Sequence, residues 1–344
     1  MSARLPSLRP SRPAVLLALA AGGVFSAAVL LGSYTVTVPD LWRVLAAHLS
    51  GAPRIPTVSF MVMELKLPRA VTGAMVGAAF GLSGALFQTL LRNPLASPDV
   101  IGISYGASAA AVTAIVVFGA SGAAVSGAAL AGALAIALLI YAISRRATGG
   151  SGAAGGRLIL AGVGIAAALQ AVVSFLMTRS DIRTAADALV WLNGSLNSAG
   201  WERAGILAAA LLVLVPAAAA LARPLRMVEL GDDAAAGLGV RVGATRLGVV
   251  VVGVALAACA TAAAGPVAFV AFLAGPISRR LTGRTSLPAA ALTGMLIVLS
   301  ADFLAANLAP LLLAGTVLPV GVVTGALGAP FLLWLLATAN RKDT

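Results

Sequence analysis

Residues 65–107 read LKLPRAVTGAMVGAAFGLSGALFQTLLRNPLASPDVIGISYGA, and the run from Pro68 to Leu91 inside them holds one ionisable side chain, Arg69 at its start. About 20 apolar residues are enough for a helix to cross the hydrocarbon of a bilayer. In lipid every backbone N–H and C=O must be satisfied within the segment, so such a run has to be helical. Arg92 then marks an aqueous boundary. The pattern recurs along the chain: 60% of its 344 residues are hydrophobic, 10% are charged, and the mean hydropathy is +1.03. A soluble core cannot absorb that much apolar surface, which makes this an all-α polytopic membrane protein.

Apolar stretches between polar breaks predict about ten transmembrane helices. They fall near residues 14–33, 68–91, 100–119, 123–144, 158–178, 204–222, 247–264, 267–277, 289–303 and 318–337. The run at 267–277 is too short to cross upright and is expected to be tilted or broken. The first run follows Arg4, Arg9 and Arg12 as a signal peptide would, but its apolar core is longer than a usual signal core and reads as an uncleaved helix. Residues 147–156, ATGGSGAAGG, lack an apolar anchor and read as a flexible connector.

The formal net charge of +12 could point to nucleic acid, yet the basic residues sit singly or in pairs between apolar runs and form no basic helix. Their distribution reports orientation instead. With a cytoplasmic amino terminus, 16 of the 23 Lys and Arg residues fall on the inner side, among them Arg92, Arg145, Arg146, Arg223, Arg226, Arg241, Arg246, Arg279, Arg280 and Arg284. The outer side receives Arg43, Arg54, Lys66, Arg69, Arg179, Arg183 and Arg203. Basic residues concentrate on the cytoplasmic side of membrane proteins, so both termini are expected inside.

Several classes of chemistry lack parts. Ion-coupled carriers place ionisable side chains at membrane depth, and the expected spans hold almost none; Asp302, near an outer helix end, reads as a solvated cap or the partner of an outer charge. Lys66 and Lys342 are the only lysines and neither belongs to a phosphate loop, so the chain cannot hydrolyse ATP alone. The lone His48 and lone Cys259 exclude a two-histidine site and a disulfide framework. Gly162-x-Gly164 lies in an apolar run without the third glycine of a dinucleotide site.

Three groups of residues suit partners or a path. Between two spans, Asp232 and Asp233 can cap a short helix over Ala234–Ala236 that Gly239 can end, a rigid element able to transmit force. Lys66 and Arg69, three apart at an expected helix start, could attract an acidic soluble carrier or anchor to lipid headgroups. Gln170, Ser174 and Thr178 recur every four residues and form one polar stripe, suited to helix packing or to a translocation surface. Gly73, Gly77, Gly81 and Gly84 form a smooth ridge for close helix packing.

The order K-L-P-R, small-residue helix, Q, R-N-P-L-A-x-P-D-x-x-G-x-x-x-G-A resembles the permease subunits of bacterial ABC importers for iron siderophores, haem and cobalamin. Leu230-Gly231-Asp232-Asp233-Ala234-Ala235-Ala236-Gly237-Leu238-Gly239-Val240 resembles the coupling helix of that family, L-G-D-x-x-A-x-x-L-G-V. Residues 265–283 resemble G-x-x-x-F-V-G-L-x-x-P-H-x-x-R with the P-H pair replaced by Gly275-Pro276, and residues 318–331 resemble the final family segment. Arg279-Arg280-Leu-Thr and Trp191-Leu-Asn-Gly-Ser-Leu-Asn look like the ferric-siderophore branch.

The resemblance implies a single permease domain over residues 1–344 with the cobalamin-importer-type fold, in the bacterial cytoplasmic membrane. It implies a coupling segment at 223–245 in which Gly231, Asp232, Asp233, Ala235, Leu238 and Gly239 meet an ATP-binding cassette subunit. Lys66 and Arg69 would dock an extracytoplasmic siderophore-binding protein, and Gln170, Ser174 and Thr178 would line the path of a dimer with an identical or homologous permease. The family's arginine shortly after the aspartate matching Asp302 is missing here, where Phe303–Asn307 follow. No cofactor is expected on the chain itself, since partner subunits use the ATP. Haem or cobalamin is the alternative cargo, and an ion-coupled secondary transporter the alternative class.

Overall fold

Apolar runs that must close their own hydrogen bonds leave helices as the only regular structure among the described residues. The computed structural model describes residues 12–339 apart from 33, 51–55, 99–101, 147–150, 284–285, 313–315 and 317. Arg4, Arg9, Arg54, Arg284, Arg341 and Lys342, which entered the charge count, lie outside them.

In chain order the helices are α1 (Arg12–Leu30), α2 (Val38–Ser50), α3 (Pro56–Phe60), a π-helical turn (Met61–Lys66), α4 (Leu67–Leu90), α5 (Ile103–Phe118), α6 (Ala123–Arg146), α7 (Ser151–Arg179) and α8 (Ile182–Leu192). There follow α9 (Trp201–Glu229), α10 (Asp232–Gly237), α11 (Val242–Ala264), α12 (Val270–Thr282), α13 (Leu287–Asn307), α14 (Ala309–Leu312) and α15 (Val320–Ala339). Every expected span falls on one of them. The short run at 267–277 is broken, with Gly265–Phe269 outside the helix and Pro276 inside α12.

Three local expectations are corrected. Lys66 and Arg69 do not start a helix, because helical structure runs unbroken over Pro56–Leu90. Pro68 has no N–H to donate, and the turn before it widens so that Leu67 N–H reaches the carbonyl of Val62, five residues back. The glycine-rich 147–156 connector is helical from Ser151, since extending an existing helix costs far less than nucleating one. Of the two settings expected for Asp302, the solvated cap fails, because the residue is buried, and the charge partner holds, because it pairs with Arg69.

Sequence reading also missed α2 and α8, two short amphipathic helices with N-caps written into the chain. The Oγ1 of Thr37 accepts from Asp40 N–H, and the carboxylate of Asp181 accepts from the N–H groups of Arg183 and Thr184 at 3.0 Å each. Hydrogen bonds from Thr184, side chain and backbone, and from Arg183 hold the Asp181 carboxyl below its ordinary range.

Helix α4 is the centre of the bundle. The span containing it is 78% buried, against 6% for the described span of α7. Hydrophobic sorting cannot bring helices together in lipid, so close backbone contact has to do it. The expected ridge supplies that contact: a methyl group on Gly77 would overlap the Gly294 carbonyl of α13, one on Gly81 the Ala290 carbonyl, and one on Gly84 the Ala271 carbonyl of α12. On another side Phe87 packs over Gly253 of α11, and Ser83 Oγ donates to the Gly253 carbonyl at 2.6 Å.

This contact predicts a contrast between two alanine substitutions. Gly77→Ala should push α4 from α13 and cost about 1–3 kcal/mol. Gly205→Ala, in α9 with nothing within 4 Å of an added methyl, should be neutral or gain up to about 1 kcal/mol from helix propensity. Melting temperatures of the purified protein in one detergent compare the two, and equal shifts would reject the ridge as the packing constraint.

Candidate functional site

Three sites are arranged along α4, which carries Arg69 near one end and is followed by Arg92 at the other, about 35 Å away at 1.5 Å per residue. At the first end Arg69 donates from Nε and Nη2 to the two carboxylate oxygens of Asp302 on α13, both at 2.8 Å. The aspartate is 6% exposed, so this bidentate pair is largely desolvated and removal of either partner strands a charge. Lys66 Nζ donates to the carbonyls of Leu31 at 2.9 Å and Tyr34 at 2.6 Å, which follow the end of α1. Beside these groups is a cavity of about 250 Å³, bordered also by Asn197 and Asn307. Both expected docking cations thus have partners within the chain. With Asp302 neutralising Arg69, Lys66 supplies the excess positive charge of the cavity.

At the opposite end the expected short helix is present as α10, with a different cap. Gly231 is the N-cap at φ 121°, and no side chain caps the helix; Asp232 and Asp233 occupy its first turn. Their negative charge suits the positive end of the helix, and Asp232 also pairs with Arg246 of α11 at 2.8 Å. The far end closes as expected. Gly239, at φ +82°, lets its own N–H reach the Ala236 carbonyl and the Val240 N–H reach the Ala235 carbonyl, so the chain turns sharply after one and a half turns. Ala235 is fully buried while Asp233, Ala236 and Leu238 face outward, and Leu230 beside them is 71% exposed. Arg92 Nη2 donates to the Val228 carbonyl at 2.5 Å, which ties the end of α4 to the end of α9 just before α10.

The third site is a cavity of about 590 Å³ lined mainly by residues of α5, α7, α12 and the Pro266–Phe269 segment, with Leu192 of α8 and Leu332 of α15. Ser104, Tyr105 and Ser108 of α5, Gln170 of α7, and Phe269 and Phe272 face it. Its lining is mainly aliphatic and aromatic with three serine hydroxyls, the Tyr105 phenol and the Gln170 amide, and it holds no ionisable acid or base other than that phenol. Of the expected polar stripe Gln170 lines this cavity. Ser174 and Thr178 lie further along the exposed face of α7, where Thr178 Oγ1 donates back to the Phe175 carbonyl. Sequence reading missed the contribution of α5, although Ser104 and Ser108 repeat at the same four-residue spacing as the α7 stripe.

The cavity is bordered by a crossing of three backbone segments. Ser195 N–H donates to the Ala264 carbonyl at 2.7 Å and Gly321 N–H to the Gly194 carbonyl at 3.2 Å. Side chains cannot enter there: a methyl on Gly194 would meet Pro266 O, one on Gly265 would meet Trp191 O, and one on Gly321 would overlap Asn193 O. The segments W-L-N-G-S-L-N, G-P-V-A-F and L-P-V-G therefore interlock through their glycines, which gives all three a shared structural reason.

Comparison with known proteins shows the family and the fold. The FecCD transport family matches over residues 17–338. The chain is 40% identical over 302 residues to the ferric enterobactin transport system permease protein FepG of Escherichia coli K12, covering 87% of this chain and 88% of that one. It is 40% identical to the achromobactin transport system permease protein CbrC of Dickeya dadantii, covering 86% and 83%. The cobalamin import system permease protein BtuC of Halobacterium salinarum is 37% identical, covering 87% and 79%. An inward-facing metal-chelate type ABC transporter superposes with a TM-score of 0.79 at 25% identity, over 94% of this chain and 98% of that chain. On this nearly full-length match of motifs, helices and fold, the chain belongs to the FecCD transport family.

Proposed function

We propose that this chain is the permease subunit of an ATP-driven importer that carries ferric siderophores across the bacterial cytoplasmic membrane. The observation that carries the reading is the 40% identity, over most of both chains, to permeases named for ferric enterobactin and achromobactin. The wide, weakly polar 590 Å³ cavity fits it. A bare iron ion needs oxygen, nitrogen or sulfur ligands along its path, whereas a chelate presents an organic surface and needs room with a few polar contacts. Cobalamin is the second reading, favoured by the 37% identity to a cobalamin permease.

In this reading the energy comes from ATP-binding cassette subunits that seat on α10. Its outward face of Asp233, Ala236 and Leu238, with Leu230 beside it, is an apolar patch with an acidic edge and a rigid backbone. A siderophore-binding protein would dock at the Lys66 and Arg69 end, where the excess charge is Lys66 and Arg69 keeps the entrance in shape through Asp302. A second permease, identical or homologous, would cover the exposed α7 stripe of Gln170, Ser174 and Thr178 and complete the path. The Arg69 and Lys66 end is then outside, and α10 and both termini inside.

Three outcomes are expected. In proteoliposomes with ATPase subunits, carrier protein and ATP, doubly labelled ferric siderophore should accumulate with iron and ligand in equal amounts. Efficient cobalamin uptake, or iron entering without ligand, would overturn the cargo assignment. For coupling, Asp233→Arg and Leu238→Glu should each abolish ATPase association in pull-downs; Leu238→Glu should leave the melting temperature unchanged, and Asp233→Arg should cost about 1 kcal/mol by placing a cation at the positive end of α10. Asp232→Ala should cost only about 0–1 kcal/mol, because both partners of its ion pair are over a third solvent-exposed. Association that survives both outward-face substitutions would reject α10 as the seat.

For docking, Lys66→Gln removes the charge and leaves a shorter N–H donor on the side of the Leu31 and Tyr34 carbonyls. Carrier affinity should fall several-fold at low ionic strength and much less at high salt, where screening already weakens the attraction. Equal affinity at all salt concentrations would leave Lys66 as a structural brace. Arg69→Glu is a poor probe, since it sets a carboxylate against buried Asp302 and damages the fold.

A further inference from the structure

Two features of the sequence have no role in these sites: Gln88, which follows Gly84 on the ridge of α4, and the Gly275-Pro276 pair that replaces the P-H of the resembled family. The structure brings them together. Pro276 lies inside α12 and has no N–H, so the carbonyl four residues back, that of Phe272, loses its helical partner. Broken helices persist at membrane depth when a neighbouring helix satisfies the freed group. Gln88 does so. Its Nε2 donates to the Phe272 carbonyl at 3.0 Å and approaches the Ala271 carbonyl at 3.4 Å.

The fit is specific to these residues. Gln88 is 2% exposed, and its Oε1 fills the space that any side chain at position 275 would need. Gly84, one turn earlier on α4, brings that helix against the Ala271 carbonyl. The turn of α12 held this way also faces the 590 Å³ cavity through Phe272. Phe269 at its start, with φ at 66°, stacks edge-on against Phe272 at 6.2 Å between ring centroids. The cavity wall is therefore carried by a helical turn whose backbone is completed by a side chain from α4.

We propose that Gln88 is a positioning residue for transport: its amide replaces the hydrogen bond that Pro276 removes, and it thereby sets the pose of the Phe269 and Phe272 wall of the path. The role in transport rests on the cavity being part of that path. The role in the backbone does not.

A double-mutant cycle tests both, using Gln88→Leu, Pro276→Ala and the combination in the assembled transporter in proteoliposomes. Leucine removes the donor and is one heavy atom smaller than glutamine, so Gln88→Leu should lower the melting temperature through the lost hydrogen bond and through looser packing. It should also cut maximal ATP-driven uptake about fivefold, the size expected from one lost hydrogen bond. Carrier affinity should stay unchanged, because Gln88 is buried far along α4 from Arg69. Alanine at 276 returns an N–H to the Phe272 carbonyl, so Gln88→Leu should have a clearly smaller effect on melting and on uptake in that background, the packing loss alone remaining. An equal melting loss with proline or alanine at 276 would overturn the carbonyl assignment. Coupled melting with wild-type maximal uptake in Gln88→Leu would overturn the positioning role. Wild-type vesicles that import no ferric siderophore would fault the cargo reading instead, and the melting temperatures would still decide the carbonyl assignment.

Discussion

The bundle depends on backbone contact between helices without side chains in the way. Lipid offers no hydrophobic reason for α4 to leave the periphery, so its central place rests on dispersion and on the proximity that glycine permits. Gly77 and Gly81 admit the carbonyls of α13, Gly294 returns the contact, and Gly84 admits α12. With that axis in place, the residues α4 carries acquire their settings: Arg69 reaches Asp302, Gln88 reaches Phe272, and Arg92 just beyond the helix reaches Val228.

A second regularity follows from the same solvent. The long polar side chains of Lys66, Gln88 and Arg92 are directed at backbone carbonyls near helix ends and breaks. Lys66 takes two carbonyls beyond α1, Gln88 takes the one freed by Pro276, and Arg92 takes one in the last turn of α9. Each unsatisfied carbonyl in hydrocarbon would cost several kcal/mol. A protein that must interrupt helices to line a cavity therefore needs side chains of this kind nearby. The glycine crossing of residues 194, 265 and 321 solves the same problem with backbone alone.

Charge divides differently. The Arg69 and Asp302 pair is desolvated and shapes its end of the bundle, whereas Asp232 and Arg246 are open to water and contribute little to stability. What distinguishes α10 is the glycine closure at its carboxyl end and the apolar face it leaves exposed.

Much of this was legible in the chain because it is written locally. A run of apolar residues is a helix in lipid wherever it lies, so all ten spans, the glycine ridge and the break at 267–277 could be read from composition and spacing. Gly239 ends α10 by its own backbone freedom, and that too is local. The caps of α2 and α8 at Thr37 and Asp181 were equally present, and were passed over because short amphipathic helices lack the hydropathy signal of a span. Tertiary structure alone decided which side chains meet: Arg69 with Asp302, 233 residues away, Gln88 with Phe272, and Ser104 with Gln170 across one cavity. Hydropathy determines that a segment enters the membrane. Partners for polar groups depend on how helices rotate and pack, and that is set by contacts between residues far apart in the chain.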